Sequence, residues 1–268
     1  MATFLPYSAH NSTRRGNYVT KLKGKLASRN NLLSKLATTK WGADPKTLRQ
    51  TAIALCHSTA EYCAPVWERS CHAHKIDAEL HKAYRIITGV LRSTPLPALY
   101  RITGIPPPYI RRETATKIEK YKQLNDPRHS LYGHRKVRQR LKSRKSFANV
   151  QELDPSQAAS YRMERWLEYD RGQSNEALPN PDEKLPPGSN LTRKDWVTLN
   201  RARAKVEKTK ENLYKWGLDT TPQCPCGDIQ TMNHILQECQ LGPHCSDQDL
   251  KVANDTALQW VEFWCDKI

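Results

Sequence analysis

The chain is poor in glycine and in long apolar stretches. Glycine provides only 11 of its 268 residues, and so low a content favours helices over closely turned strands. No run of apolar residues approaches the length that spans a membrane, and residues 1–6 lack the apolar core of a signal peptide. We therefore predict an all-α protein without a membrane segment, located inside the cell in the nucleus or the cytoplasm.

A disulfide framework is not indicated either. The eight cysteines are unevenly spaced, with three in the first third of the chain and five in the last. Disulfide-stabilised domains are usually small, whereas this chain is long enough to bury a proper hydrophobic core. A reducing compartment is therefore the better expectation.

Acidic residues are too few to balance the basic ones. Lysine and arginine number 43 against 27 aspartates and glutamates, so the formal net charge is +16 and the isoelectric point is near 9.6. Such an excess favours an anionic polymer or surface as the partner. A membrane surface is the rival to nucleic acid, but we expect RNA or DNA as the partner, no membrane, and no small-molecule substrate.

Four soft or borderline metal ligands lie within sixteen residues of one another near the C-terminus. They are Cys224, Cys226, His234 and Cys239. Zn²⁺ is held by four thiolate or imidazole ligands in a tetrahedron, and a cysteine turn followed by a helical histidine and a closing cysteine supplies them. Gly227 lets the backbone bend behind Cys226. We predict a zinc knuckle of the CCHC type, in which the helix carrying His234 ends or loosens before Cys239.

Alternatives to this zinc site stay open at the level of sequence. The cysteines could be ordinary buried thiols or, in a secreted chain, disulfide partners. His244 and Cys245 follow closely behind Cys239, and either could replace one of the four ligands.

Helix signals divide the chain into segments. Asp44 and Pro45 form a strong helix start, and Thr192 and Asp195 belong to a capping box. The capping box opens one long helix to about Trp216, with that tryptophan on its apolar side. The expected segments are a disordered leader over 1–20, a helical body over 21–127, a basic and proline-rich linker with one helix over 128–190, and a C-terminal helix with the zinc knuckle over 191–268.

Two sets of basic residues are candidates for phosphate contacts. One is a stripe at helical spacing on the expected C-terminal helix, and the other is a dense segment in the expected linker. A charged outer face and a solvated linker are the alternatives, and the segment also fits a nuclear-import signal. Phosphate contacts would give affinity without sequence choice. The stripe consists of Lys194, Arg201, Lys205 and Lys208, and the segment contains Arg135, Lys136, Arg138, Arg140, Lys142, Arg144 and Lys145.

Ordered blocks of residues resemble one known family. The blocks are Glu61-Tyr62-Cys63-Ala64-Pro65-Val66-Trp67, Arg85-Ile86-Ile87-Thr88-Gly89, Gly104-Ile105-Pro106-Pro107 with Arg111-Arg112-Glu113, Leu199-Asn200-Arg201 with Arg203, and Cys224-Pro225-Cys226-Gly227 with His234. Together they resemble the region that follows the palm in reverse transcriptases of non-LTR (LINE-type, jockey-like) retrotransposons. The resemblance implies a thumb-like domain over residues 21–127, a linker and a CCHC zinc knuckle.

The family is an RNA-directed DNA polymerase, but its catalytic part is not expected here. Its catalytic aspartates lie in a palm domain upstream of this region, with an endonuclease further upstream. We find no aromatic-x-Asp-Asp pair and no Asp-x-Asp that could hold the two metal ions of a polymerase. The resemblance therefore implies a fragment without enzymatic activity, from a truncated element, a captured gene or a gene model begun at an internal methionine. Related proteins also tend to have a glycine-containing break after the Arg-x-Arg pair, where this chain has Lys205.

Two functions from different classes follow from these observations. The first is non-catalytic RNA or DNA binding, with aromatic side chains near the knuckle stacking on unpaired bases. The second is protein–protein interaction by a zinc-stapled helical bundle, whose partner is a polymerase palm supplied in trans or a host factor. A truncated product without a selected function is the third interpretation.

Overall fold

A computed structural model describes residues 12–38, 42–134, 147–173 and 175–268. Over these ranges the chain is helical, and its only extended pairing is one antiparallel bridge between Gln223 and Ile229. The predicted all-α class is confirmed. No described helix combines the length and apolar character needed to cross a bilayer. The helices are α1 (Ser12–Leu36), α2 (Pro45–Ala52), α3 (Ser58–Glu61), α4 (Ala64–Trp67), α5 (Ala73–Thr88), α6 (Leu96–Thr103), α7 (Pro108–Asn125), α8 (Ala158–Asp170), α9 (Arg193–Arg203), α10 (Lys210–Lys215), α11 (Asp247–Val252) and α12 (Asp255–Trp264).

The first hydrophobic core surrounds α5. Ile76, Leu80, Ala83 and Ile87 recur at three- and four-residue steps, so they share one side of the helix, and all four are buried. Helices α1, α2, α6 and α7 pack around α5. Each large apolar side chain buried in this way contributes about 1.5–3 kcal/mol, so the cluster is the main stabilising unit of the helical body.

Helix α1 begins at Ser12, earlier than the predicted start at Lys21. Val19 and Leu22 are buried in the first core together with Leu26 and Leu33. The expected disordered leader is therefore wrong for residues 12–20, because Val19 extends the apolar side of the helix across a stretch that otherwise reads as polar. The rest of that leader, residues 1–11, lies outside the described residues.

Part of the expected linker packs on the helical body. Helix α8 buries Trp166 completely in the first core. Its last residue, Asp170, forms a buried ion pair with Arg101 of α6. Arg162 of α8 also holds Glu183 through two hydrogen bonds of 2.6 and 2.8 Å. The described stretch after residue 147 is thus anchored to the body by both apolar and ionic contacts.

A second core lies near the C-terminus, and α9 connects it to the first. Trp196 of α9 is buried in the first core, whereas Leu199 and Ala202 belong to the second. The second core also contains Trp260 and Trp264 of α12, and both α11 and α12 pack on α9. The two sides of one helix therefore contribute to two separate hydrophobic cores.

Side chains of α9 also cap the C-terminal end of α5. The last carbonyl groups of a helix have no partner within the helix and carry the negative end of its dipole, so cationic donors stabilise them. Gly89 ends α5 with a positive φ of 70°, in the left-handed region. Arg193 donates to the carbonyls of Ile86 and Ile87, Trp196 to that of Ile87, Asn200 to that of Thr88, and Arg201 to that of Gly89.

The predicted long helix to Trp216 is wrong, because it breaks after Arg203. Lys205 has a positive φ of 53°, a conformation that costs a residue with a side chain about 1–2 kcal/mol. The chain then starts again as α10, whose first turn is capped by the side chain of Thr209.

Candidate metal centre and cationic surfaces

A tight turn brings Cys224 and Cys226 together. The amide of Cys224 donates to the carbonyl of Asp228 at 2.7 Å, and the amide of Gly227 donates to the carbonyl of Cys224 at 2.9 Å. Gly227 has a φ of 106°, a backbone conformation that residues with a Cβ rarely adopt. The predicted role of this glycine in bending the backbone therefore matches the geometry of the turn.

A π-helical turn, His234–Glu238, presents the histidine and the last cysteine to the same point. In a regular α-helix, residues five apart lie on different faces. Here the amide of Cys239 donates to the carbonyl of His234 at 2.8 Å, the five-residue step of a π turn. The helix therefore loosens before Cys239, as predicted.

The four predicted ligands converge on one point. One ligand atom from each of Cys224, Cys226, His234 and Cys239 lies within 4.8 Å of all the others. The Sγ atoms of Cys224 and Cys239 are 3.7 Å apart, and Sγ of Cys226 is 3.2 Å from Nε2 of His234. This cluster could hold a metal ion.

The pKa values of two neighbouring thiols in the cluster are shifted in opposite directions. Burial disfavours the thiolate of Cys224, but hydrogen bonds from the Cys226 backbone and from His234 outweigh it and lower the pKa. Burial raises the pKa of Cys239, and the neighbouring Cys224 raises it further. One negative charge shared by such a pair is suited to a cation.

Neighbouring groups support the cluster from outside. The side-chain amide of Gln230 lies 3.8 Å from Sγ of Cys224, and its oxygen accepts the amide of Lys210 at 2.8 Å. Gln230 therefore connects the first turn of α10 with the cysteine turn. Such outer contacts orient the groups that bind a metal.

Neither of the two alternative ligands belongs to the cluster. Nε2 of His244 lies 3.1 Å from the carbonyl oxygen of Cys239. The thiol of Cys245 is buried in the second core and donates to the carbonyl of Ser246. All eight cysteines of the chain carry free thiols in the structure.

The predicted cationic stripe on the C-terminal helix is not formed as one surface, because α9 ends before Lys205. Lys194 pairs with Asp266, and Lys205 pairs with Asp247 at 2.8 Å. Two lysines of the predicted stripe are therefore neutralised by carboxylates that lie outside it in the sequence.

The other two members of that stripe differ from each other. Arg201 binds Glu207 at 2.9 Å in addition to capping α5, so it belongs to the interior of the fold. Lys208 is exposed beyond the end of α9. The second predicted set, from Arg135 to Lys145, lies outside the described residues.

Sequence reasoning missed a different cationic surface, the outer face of α1. Lys21, Lys25 and Lys35 are exposed on this face. None of these lysines has a carboxylate partner among the described residues. A signal in the sequence could have shown this, because no aspartate or glutamate precedes Asp44.

Two arrangements that resemble catalytic constellations have structural roles. Asp247 and Asp249 form the single Asp-x-Asp of the sequence. Asp249 completes the capping box at the start of α11, and Asp247 pairs with Lys205. Both carboxylates of this Asp-x-Asp pair therefore make structural contacts, one in a helix cap and the other in an ion pair.

The second arrangement is a buried network. Nδ1 of His57 lies 3.1 Å from Glu61, and its Nε2 lies 3.0 Å from the hydroxyl of Tyr84. Arg111 pairs with Glu61 on the other side. Tyr84 has no exposed surface, so a substrate cannot reach its hydroxyl.

Comparison with protein-family models, with curated proteins and with solved structures finds no match for this chain. The resemblance to non-LTR reverse transcriptases therefore rests on the quoted residues alone.

Proposed function

We propose that this chain is a non-catalytic nucleic-acid-binding protein whose C-terminal module is held together by one zinc ion. We further propose that it corresponds to the region after the palm of a non-LTR reverse transcriptase. The unpaired lysines of α1 carry the nucleic-acid part of the proposal. The convergence of three thiols and one imidazole supports the zinc part.

The ligand set fits zinc better than the harder cations. Magnesium and calcium prefer oxygen ligands, whereas thiolate and imidazole suit zinc. Zinc ligands lie about 2.0–2.3 Å from the metal, and a tetrahedron of that size separates them by about 3.3–3.8 Å. The 3.7 Å between Cys224 and Cys239 lies in that range. All four positions come from the protein, as in a structural rather than a catalytic site.

Native mass spectrometry tests the zinc proposal. We expect one zinc equivalent per chain, lost in Cys226→Ala and in His234→Ala because each removes one of four ligands. Cys245→Ala is the matched control, since it removes a buried thiol outside the cluster. Retention of zinc by both ligand variants would disprove this ligand set.

The outer face of α1 suits an extended anion. Lys21, Lys25 and Lys35 stand at steps of four and ten residues, which leaves them on one side of the helix. At a rise of 1.5 Å per residue, the ridge from Lys21 to Lys35 is about 21 Å long. A single phosphate would contact only part of it, whereas a polynucleotide backbone follows its whole length.

A pair of triple variants with equal charge tests this surface. We expect Lys21→Gln, Lys25→Gln and Lys35→Gln together to weaken binding of single-stranded RNA and to reduce its salt dependence, because each lost phosphate contact lowers the slope by about 0.7. The control is Lys194→Gln, Lys205→Gln and Lys122→Gln, which removes three lysines that pair with carboxylates. Filter-binding titrations at increasing salt measure both.

The outcomes of this comparison are distinct. Equal weakening by the two triple variants would show that net charge, not the α1 face, controls affinity. A larger effect of the control would show that the lysines of the control variant, not those of α1, contact the RNA. Absence of any salt-sensitive binding to RNA or DNA by the wild-type chain would disprove the nucleic-acid proposal.

A protein–protein interaction is the second candidate function, and two exposed leucines favour it. Leu32 is 52% exposed and Leu36 is 41% exposed on α1. Leucines presented in this way suit a helical partner such as a polymerase palm supplied in trans. Binding of such a partner with little dependence on salt, together with no affinity for RNA, would support this alternative.

A further inference from the structure

We propose that Trp216 and Arg92 form a stacking platform for one unpaired base of a single-stranded nucleic acid and its adjoining phosphate. This inference rests on the proposed nucleic-acid function and assigns a specific site to it. The site is an open concavity of about 440 Å³ lined by Leu91, Arg92, Ser93 and Trp216.

Trp216 differs from the other tryptophans that the structure describes. Its side chain is 46% exposed. An exposed aromatic face is what single-strand-binding proteins offer to a base. The remaining described tryptophans, Trp67, Trp166, Trp196, Trp260 and Trp264, are all buried.

Hydrogen bonds define the backbone that carries Trp216. The amide of Trp216 donates to the carbonyl of Asn212 at 3.0 Å, and Gly217 turns the chain with a φ of 70°. The amide of Leu218 then donates back to the carbonyl of Leu213 at 2.8 Å. The backbone of Trp216 therefore needs no rearrangement on binding, and only the side-chain torsions of the indole remain to be ordered.

The first turn of α10 is tied to the metal cluster. The amide of Lys210 donates to the side-chain oxygen of Gln230, and the amide of Glu211 donates to its backbone carbonyl. The side-chain amide of Gln230 in turn contacts Cys224. The zinc module therefore positions the helix that carries Trp216.

The opposite wall supplies a cation. Arg92 is exposed and has no carboxylate partner among the described residues, while its carbonyl accepts a hydrogen bond from Arg85. The residues that line the concavity include no acidic side chain. An indole face beside an unpaired guanidinium complements a ligand that is both aromatic and anionic, and a nucleotide combines these properties.

The test measures binding of a short oligouridylate by quenching of tryptophan fluorescence in a Trp41→Phe background, because Trp41 lies outside the described residues. We expect Trp216→Leu to abolish the quenching and to weaken binding about tenfold, since a stacked base contributes about 1–3 kcal/mol. Trp216→Phe should retain most of the affinity. Arg92→Gln should weaken binding less and lower the salt slope by about 0.7.

Tyr214→Leu is the matched control. Tyr214 is 51% exposed on the same helix but does not line the concavity. Its substitution should leave oligouridylate binding unchanged. Both leucine variants keep the fold, because each replaces an exposed side chain, and their melting temperatures should remain close to that of the wild type.

Four further results would decide the inference. Unchanged binding by Trp216→Leu, with strong binding by the wild type, would overturn the platform and leave the proposed function intact. No binding by the wild type would disprove the proposed function itself. An RNA duplex should be bound equally by wild type and Trp216→Leu, and a preference of the wild type for duplex would overturn the role of an unpaired base. An oligodeoxyuridylate should behave like the RNA, because the platform contacts base and phosphate rather than the 2′-hydroxyl.

Discussion

Arginines 201 and 203 show how strongly the fold determines the role of a single side chain. Arg203 has no exposed surface, and its guanidinium donates to the carbonyls of Leu250, Pro187 and Lys251. Burial lowers its pKa to about 9. Arg201 binds one carbonyl and one carboxylate. These cations hold α9 against its neighbours and are not available to phosphate.

His81 makes stability depend on pH. Its Nε2 lies 2.9 Å from the hydroxyl of Tyr100, and burial lowers its pKa from 6.5 to about 4. The nearby Asp77 opposes this shift, while Arg85 adds to it. The unfolded chain therefore binds a proton at a pH where the folded chain does not. This contribution to stability is complete above pH 6.5 and is lost as the pH falls towards 4.

The wild-type protein should lose unfolding free energy between pH 7 and pH 5, and in His81→Gln we expect this loss to be smaller by about 1 kcal/mol. The expected difference is smaller than the full pKa shift of His81 would give, because the ring is partly exposed. Urea denaturation at the two pH values measures it. His74→Gln is the control, since His74 is exposed on the same helix. The wild-type slope should not vanish in His81→Gln, because burial also lowers the pKa of His57. An unchanged slope would contradict the role of His81.

At the scale of elements, the contact between α5 and α9 depends on one glycine. Gly89 has φ 70°, and a Cβ at this position would lie 2.2 Å from a methyl group of Val197. Gly217 has the same φ but no atom within 4 Å of the corresponding point. Substitution of Gly217 therefore adds backbone strain alone, whereas substitution of Gly89 adds the same strain and a steric clash.

We expect Gly89→Ala to lower the unfolding free energy by about 2–4 kcal/mol, and Gly217→Ala by about 1 kcal/mol. Chemical denaturation of both variants measures the difference. Val197→Ala should restore part of the stability of Gly89→Ala, because it removes the two methyl groups nearest the new atom. Equal destabilisation by the two glycine variants would show that the helices can separate at this point without cost.

Local patterns predicted some elements well and others poorly. The metal cluster was predictable because all its ligands lie in one short stretch, so that a turn and one helical step bring them together. The cationic stripe was not, because the partners of Lys194 and Lys205 are carboxylates far along the chain. Trp216 was expected on a buried side, but the helix that would have buried it breaks at Lys205.

A π turn also changes the helical register near Cys63. Cys56 and Cys63 are seven residues apart, a spacing that places both on one face of a regular α-helix. Cys56 is buried, but the π turn at Ile53–His57 changes the helical register and α3 ends at Glu61, so Cys63 is exposed. Insertions of this kind leave no mark in hydrophobic spacing.

At the scale of the whole molecule, the proposed zinc ion would stabilise one core and not the other. The indole of Trp260 in the second core donates to the carbonyl of Ile235, which lies in the π turn of the cluster. The first core contains none of the four ligands. Loss of the metal should therefore loosen the second core first.

We expect a zinc chelator to expose Trp260 and Trp264 while most of the helical signal remains. A red shift of tryptophan fluorescence with little change in far-ultraviolet circular dichroism measures this. Cys226→Ala should reproduce the effect without chelator, and Cys245→Ala should not show it before chelation. Loss of all helical signal in one step would contradict independent stabilisation of the two cores.

Helix α9 has a consequence for how this polypeptide can be divided. A break between residues 190 and 191 would place Trp196 on one piece and the C-terminal end of α5 on the other. The carbonyls at that end would then lose their hydrogen bonds from α9. Neither piece would therefore keep all of its packing and hydrogen-bond contacts. A break after α9 would instead remove Leu199 and Ala202 from the second core, so α9 cannot be separated from either part of the chain without loss of packing.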